Sequence, residues 1–325
     1  MQRPLPTSPQ DSVTSKLAEE RAECAWDLIK DVSNFLPELS FVVPARNEAA
    51  SIGACVEALV RQGDETRVEV IVVDNGSTDE TSTIAIAHGA RVVHEPRPGL
   101  AHARQAGLVH AQAPVLVFVD ADTLVPPGWA TAALAEFRRH PRKVAFSPAF
   151  HFHDGRLLDN FGNGIFREIL CPLTNAFLLG LGRPGILIGS TMALRTDALR
   201  AAGGVDPAFQ FYGEDTMIAR RLGKFGEVGF VQHPRLHTSA RRYQDRGLIN
   251  VVYRYFTIFF LIQLGRIGMA GRLARTFYDC DRGMMRGERC RALLMFALRR
   301  EQEQHEITPV QDELAPAEPM LGLDT

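Results

Sequence analysis

The chain has 325 residues, 46% of them hydrophobic and 23% charged, a composition that excludes collagen-like, low-complexity and wholly disordered chains. Lys and Arg number 36 against 38 Asp and Glu, so the basic excess expected of a chain whose main partner is nucleic acid is missing, and no nucleic-acid partner is expected. The five cysteines are odd in number and contain no CxxC, which suggests neither a disulfide framework nor a structural zinc site and favours a reducing compartment.

In chain order, residues 1–15 read as a loose polar tail with no apolar stretch of the secretory kind. From Lys16 to Leu36 the residues Ala18, Ala22, Ala25, Ile29, Val32 and Leu36 recur every three or four positions, one face of an accessory helix that Pro37 ends. Residues 1–37 thus form a tail and an accessory helix.

The pattern then changes. Leu39–Val43, Val68–Val73, Arg91–His94 and Val115–Val119 are short runs rich in Val and Ile, as expected of parallel strands buried on both faces. Helix-like stretches at Ala49–Arg61, Glu80–His88, Leu100–Ala111 and Trp129–Arg139 separate or follow them. This alternation predicts an α/β fold with a doubly wound, mainly parallel, Rossmann-like sheet. Further on, Val144–Phe152, Ile186–Leu194 and Val228–Gln232 read as strands, the last running on to His237, and Thr216–Phe225 as a helix. The catalytic unit is expected to span residues 38–245.

A helical, Arg-rich region, 246–300, follows, and residues 301–325, poor in apolar side chains, read as a disordered tail. Its apolar part, Tyr255–Leu264, falls short of the ~20 residues a bilayer span needs, so no transmembrane span is expected. Tyr253, Phe256, Phe259 and Phe260, followed by Arg266, Arg272, Arg275, Arg282, Arg286, Arg289 and Arg291, suit either an interfacial helix at anionic lipid or a subdomain packed on the core. A cytoplasmic protein able to touch the inner face of a membrane fits these features.

Ligands of doubly wound sheets bind beyond the carboxyl ends of the strands, and there the polar residues gather. Strand one runs into Pro44, Ala45, Arg46, Asn47 and Glu48, strand two into Asp74, Asn75 and Gly76, and strand four into Asp120 and Asp122. Each group alone could cap a helix; together they predict a shared crevice. Asp120 and Asp122 can share a divalent cation such as Mn²⁺ or Mg²⁺, whose charge would relieve their repulsion. Asp215 is either a helix cap or a general base for an attacking hydroxyl. His237 is a further metal ligand or a surface histidine. Arg104 can hold a phosphate or base, or face solvent.

The motifs VVPARNE, VVDNGSTDET, GLAHARQAGL, VFVDADT, GSTMALRTDALRAAGGVDP and FYGED occur in an order that resembles the family 2 glycosyltransferases of the GT-A fold, over about Leu39 to His237. That resemblance implies metal-assisted, inverting transfer of a sugar from a nucleoside-diphosphate sugar, a UDP- or GDP-sugar first, to an acceptor hydroxyl, as in hexosyltransferases. It implies that Pro44, Arg46, Glu48, Asp74, Asn75 and Arg104 face the nucleotide. It places metal and diphosphate on Asp120 and Asp122, with His237 a loose match to a third ligand. Gly189, Ser190, Thr191 and Glu214 would lie near donor sugar and acceptor, with Asp215 the base.

Two departures matter. Asn75 stands where many members have Asp, and Ser239 to Tyr243 lacks the Gln and Trp of the QxxRW motif found in processive synthases, so non-processive transfer is expected. The acceptor stays open, a lipid-linked one included. A haloacid-dehalogenase-like phosphatase would want Thr or Val where Leu124 stands, and a dinucleotide oxidoreductase would want a Gly-rich turn after strand one. A catalytically silent nucleotide-sugar-binding or membrane-surface module remains the rival reading.

Overall fold

A computed structural model describes residues 36–155, 164–241 and 248–281. The expected helix from Lys16, the tail at 301–325, and Arg282, Arg286, Arg289 and Arg291 lie outside the described residues.

Four strands, β1 (Leu39–Ala45), β2 (Val68–Asp74), β3 (Arg91–His94) and β4 (Val115–Val119), form a parallel sheet in the order β3-β2-β1-β4. Each of the first three crossovers holds a helix: α1 (Ile52–Val60), α2 (Thr81–Ala87) and α3 (Leu100–His110); α4 (Trp129–Arg139) follows β4. The apolar runs lack polar alternation because both faces are covered. On one face Ile52, Val56 and Leu59 of α1 and Trp129, Ala133 and Phe137 of α4 meet Phe41, Val43 and Val117. On the other, Ala101, Ala103 and Leu108 of α3 pack on Val42, Ile71, Leu116 and Phe118. Gly107 lets α3 sit close to β1: a Cβ there would lie 2.1 Å from Val42 Cγ1.

Three more strands, β5 (Lys143–Phe152), β6 (Thr191–Arg195) and β7 (Glu227–Thr238), extend the sheet to seven in the order β3-β2-β1-β4-β6-β5-β7. β6 runs antiparallel to both β4 and β5, while β5 and β7 are parallel. The sheet is mainly parallel, as expected, but the strand expected over 186–194 begins only at Thr191. Upstream of it the backbone amides of Ile186, Ile188 and Gly189 donate to side chains of Asn175, Ser147 and Asp215 instead of to a neighbouring strand. Side-chain acceptors of this kind compete with a ladder.

A wide helical turn, Phe166–Leu170, leads into α5 (Cys171–Gly180), and α6 (Thr196–Ala201) and α7 (Glu214–Leu222) follow. At the C-terminal side α8 (Leu248–Gln263) and α9 (Ile267–Asp281) close a third apolar cluster with Phe209, Tyr212 and Met217. Tyr212 and Arg254 both donate to Asp281, at 2.7 and 2.6 Å, tying the pair to the turn before α7. Cys280 is disulfide-bonded, while Cys55 and Cys171 are free; no disulfide framework was expected, and this one bond does not make one. The cysteine count therefore does not carry the expected reducing compartment. Among the described residues no helix is long and apolar enough to cross a membrane.

Candidate active site

The order of the strands reverses between β1 and β4, and the crevice opens beyond their carboxyl ends, where such sheets bind ligands. Because β6 is antiparallel to β4, its beginning lies at the end of β4: Val119 pairs with Thr191, and the Asp120 amide donates to the Ser190 carbonyl at 3.1 Å. Topology thus brings Gly189, Ser190 and Thr191 to the two aspartates, 70 positions earlier in the chain for Asp120 and Ser190.

The loops after β1 and β2 are laced together. Asn47, at φ 55°, accepts from the Thr78 amide at 2.8 Å, its own amide donates to Ser77 Oγ, and the Glu48 amide donates to Thr81 Oγ1 at 2.8 Å. Asp74 is buried and accepts from the Ser77 amide, Ser82 and His94. Burial alone would raise its carboxyl, but these hydrogen bonds outweigh it and hold Asp74 below the ordinary carboxylate range. Asn75 is buried too, donating to the carbonyls of Glu95 and Arg97 at 2.9 and 2.7 Å and accepting from the Gly99 amide at 2.7 Å. Both side chains shape the loops; Pro44 is half-buried and Arg46 exposed at the rim.

Beyond β4, Asp122 and Glu48 share a cation of the protein's own. Arg241 Nη2 donates to both Glu48 oxygens, at 2.8 and 2.9 Å, and lies 3.7 Å from Asp122 Oδ2. Thr238 Oγ1 is 3.5 Å from Asp122 Oδ1 and accepts from Thr123 at 3.1 Å. Successive strand residues point to opposite faces, so His237, next to Thr238, is exposed and stacks on His151 at 6.0 Å instead. It does not join the aspartates: among the described residues no group of three or more His, Cys, Asp and Glu is placed to hold a metal. Two carboxylates at a strand end still fit a hard cation, since Mg²⁺ is commonly held by one or two carboxylates together with substrate phosphates. The guanidinium already lodged between Glu48 and Asp122 marks the place as one that favours positive charge.

Beneath the crevice lies a buried charge network. Arg104, on α3, is 1% exposed, so it sits under the site and does not line its open face. Its Nη1 donates to Glu214 Oε1 at 2.7 Å, its Nη2 donates to the Gly189 carbonyl and lies 3.6 Å from Asp120 Oδ1, and its plane rests over Phe118. Its Nε and Glu214 Oε2 are buried without a hydrogen-bond partner among the described residues. Glu214 and Asp215 occupy the first turn of α7, which starts two residues earlier than its apolar pattern suggests, after Gly213 at φ 82°. Asp215 Oδ1 accepts from the Thr216 amide at 2.6 Å and Oδ2 from the Gly189 amide at 3.0 Å. Gly189 permits this approach, since a Cβ there would be 3.0 Å from Glu214 Oε1.

Burial pushes Glu214 from 4.5 up to about 8, the charge of Asp215 adding to it and Arg104 opposing it. Asp215 is raised as well, by burial first, against the pull of Thr216, Arg104 and Gly189. A carboxyl of raised proton affinity at the floor of a cleft suits proton abstraction.

The structure therefore brings together Glu48, Asp120, Asp122, Gly189, Ser190, Glu214 and Asp215, with Arg104 and Asn75 as supports. The sequence reading missed Arg241 and Thr238. Arg241 lay in the stretch compared with QxxRW, and its charge after the last strand was the available signal.

The family model for Glycosyl transferase family 2 matches residues 40–203. An uncharacterized glycosyltransferase of Mycobacterium tuberculosis is 39% identical over 98 residues, 30% of this chain and 43% of that protein. A 4,4'-diaponeurosporenoate glycosyltransferase of Staphylococcus aureus is 44% identical over 55 residues, 17% of this chain and 14% of that protein. The chain thus spans less than half the length of these curated relatives. Among solved structures, glucosyl-3-phosphoglycerate synthase of Mycobacterium tuberculosis, crystallised with Mn²⁺, UDP and glucosyl-3-phosphoglycerate, has a TM-score of 0.52 at 23% identity, over 70% of this chain and 80% of that one. At that identity the likeness bears on the fold, which is the GT-A arrangement.

Proposed function

Because the chain belongs to glycosyl transferase family 2, we propose that it transfers a sugar from a nucleoside-diphosphate sugar to an acceptor hydroxyl, with inversion, one residue at a time. The observation that carries this reading is the link between the end of β4 and the start of α7: Arg104 contacts both Asp120 and Glu214, and Gly189 donates to Asp215. A phosphate-binding edge and a candidate base are thereby held on one buried frame.

In this reading Asp120 and Asp122 would hold Mn²⁺ or Mg²⁺ beside the diphosphate, without His237. The cation would offset negative charge growing on the leaving diphosphate. Arg241, which donates to Glu48 and lies near Asp122, would have to leave Asp122 for that set to form. Asp215 takes the acceptor proton at Oδ2, the acceptor oxygen bonds to the anomeric carbon from the opposite face, and the bond from that carbon to the diphosphate oxygen breaks. Ser190, half-buried, would border the place of that carbon, with Thr191 buried behind it and donating to the Ser190 carbonyl. Arg104 positions Asp120 and Glu214 without touching substrate. Pro44, Arg46, Asp74 and Asn75 frame the nucleoside pocket, the latter two through the loops they brace. The UDP in the mycobacterial synthase crystal supports a UDP-sugar as the first donor to try.

A thermal-shift panel of UDP, GDP, CDP and dTDP, each with and without Mn²⁺ or Mg²⁺, tests the donor site. Ligand at a hundredfold excess over Kd stabilises by about 2.7 kcal/mol. One nucleotide is expected to raise the melting temperature in a metal-dependent way, and Asp122→Ala to abolish the rise. No shift with any nucleotide, or an unchanged shift in the variant, contradicts the reading.

A further inference from the structure

Among the described residues, most large apolar side chains left in solvent gather on two helical stretches. On the first, around α5, stand Ile169, Leu173, Phe177 and Leu181, Leu173 and Phe177 being 64% and 66% exposed. On the second, α8 and the turn that ends it, stand Val252, Phe256, Phe260 and Leu264, Phe256 being 67% exposed. These four recur every fourth residue and define one face, while Val251, Ile258 and Ile262 on the opposite face are buried. The helix is thus packed on one side and open on the other. The two stretches meet where Arg183 Nη1 donates to the Gln263 carbonyl.

Charge marks what this face fits. Residues 164–185 and 248–266 contain one acidic residue, Glu168, against four arginines. Glu168 is engaged by Arg235 at 3.1 Å, and Arg254 is turned inward onto Asp281. Arg183 and Arg220, both exposed, have no carboxylate partner among the described residues and line a cavity of about 120 Å³ with Phe259, Ile262 and Gln263. A second copy of the chain would bring the same arginines, and residues 282–300 hold six Arg against one Glu, so like charges would face each other in either case.

We propose that this composite face docks on an anionic phospholipid bilayer. The apolar side chains enter the headgroup and acyl boundary, and Arg183 and Arg220 meet lipid phosphates. Large exposed apolar patches with a polar rim mark such contacts. The cavity at the edge of the face is also walled by Thr216, next to Asp215. If glycosyl transfer is the reaction, the acceptor is a hydroxyl borne at a membrane surface; that corollary alone rests on the proposed function.

Flotation of the full chain with phosphatidylcholine vesicles, with and without phosphatidylglycerol, tests the proposal. The wild type should float with the anionic vesicles. The double variant Phe177→Glu, Phe256→Glu should lose roughly tenfold or more in partition, because charge replaces two inserted rings. Arg183→Gln with Arg220→Gln should remove the preference for phosphatidylglycerol. Unchanged melting temperatures, and an unchanged nucleotide shift, would show that fold and donor site are intact. A wild type that floats with neither vesicle overturns the proposal, as does undiminished flotation of the phenylalanine variant. So does a wild-type oligomer that the same variant turns into monomers, which would assign the face to a second copy. No nucleotide enters the flotation, so its failure leaves the donor-site reading untouched.

Discussion

Asn75 has to donate to two carbonyls and accept from one amide, and among side chains of its size only a carboxamide does both. Asn75→Asp would set a carboxylate against the Glu95 and Arg97 carbonyls and leave both without a donor. Unsatisfied buried groups cost about 1–3 kcal/mol each, so urea denaturation should show a loss of at least about 2 kcal/mol; a loss within error would mean that the 95–99 loop does not depend on it. Glu214 makes a pH prediction. With its carboxyl moved from 4.5 to about 8, the folded chain binds a proton in that window that the unfolded chain does not. Stability of the ligand-free protein therefore falls as pH rises from 4.5 through about 8 and levels off above it. Raised Asp215 adds in the same direction. Melting curves across this range should fall less steeply for Glu214→Gln than for the wild type; parallel curves would place the extra proton elsewhere. The candidate residues were legible singly, as charged and turn-forming types after apolar runs. What the sequence did not carry was which of them touch: Arg104 reads as a ligand of phosphate or base or as a solvent-facing residue, and only packing buries it against Glu214.

At the scale of elements, α3 is held against β1 by the absence of a side chain at Gly107 and carries Arg104 one turn earlier. Gly107→Ala would push α3 off Val42, an overpacking change of about 1–3 kcal/mol, and would move Arg104 away from Asp120 and Glu214. Both stability and transfer should drop; unchanged transfer would show that the Arg104 frame tolerates displacement. The four parallel strands were readable because burial on both faces erases polar alternation, and α4 ends where its pattern ends. The direction of β6 was not readable, since apolar content is the same for parallel and antiparallel neighbours. Nor was α5, whose run from Phe166 to Gly180 is apolar on nearly every side and so shows no helical period.

For the whole molecule, a near-neutral chain separates its charges by place. Carboxylates converge at the crevice, where Arg104 and Arg241 meet them, while Arg183 and Arg220 stand beside the apolar face of α5 and α8. We propose that residues 38–245 form the catalytic unit and that α8 and α9 brace it: Gly213, just before Glu214, has room only for hydrogen beside Ile258, 2.4 Å from where a Cβ would stand. The accessory region was expected from its composition, but its attachment to the base of α7 depends on contacts that no pattern encodes.

The central claim is that Asp215 serves as the base for sugar transfer. It is tested most directly by nucleoside-diphosphate release from the nucleotide-sugar matching the nucleotide that binds, comparing wild type with Asp215→Asn. General-base catalysis contributes about 10²–10⁴-fold. The account predicts that turnover falls by that order while the metal-dependent nucleotide shift is kept. Equal turnover in the variant would contradict it.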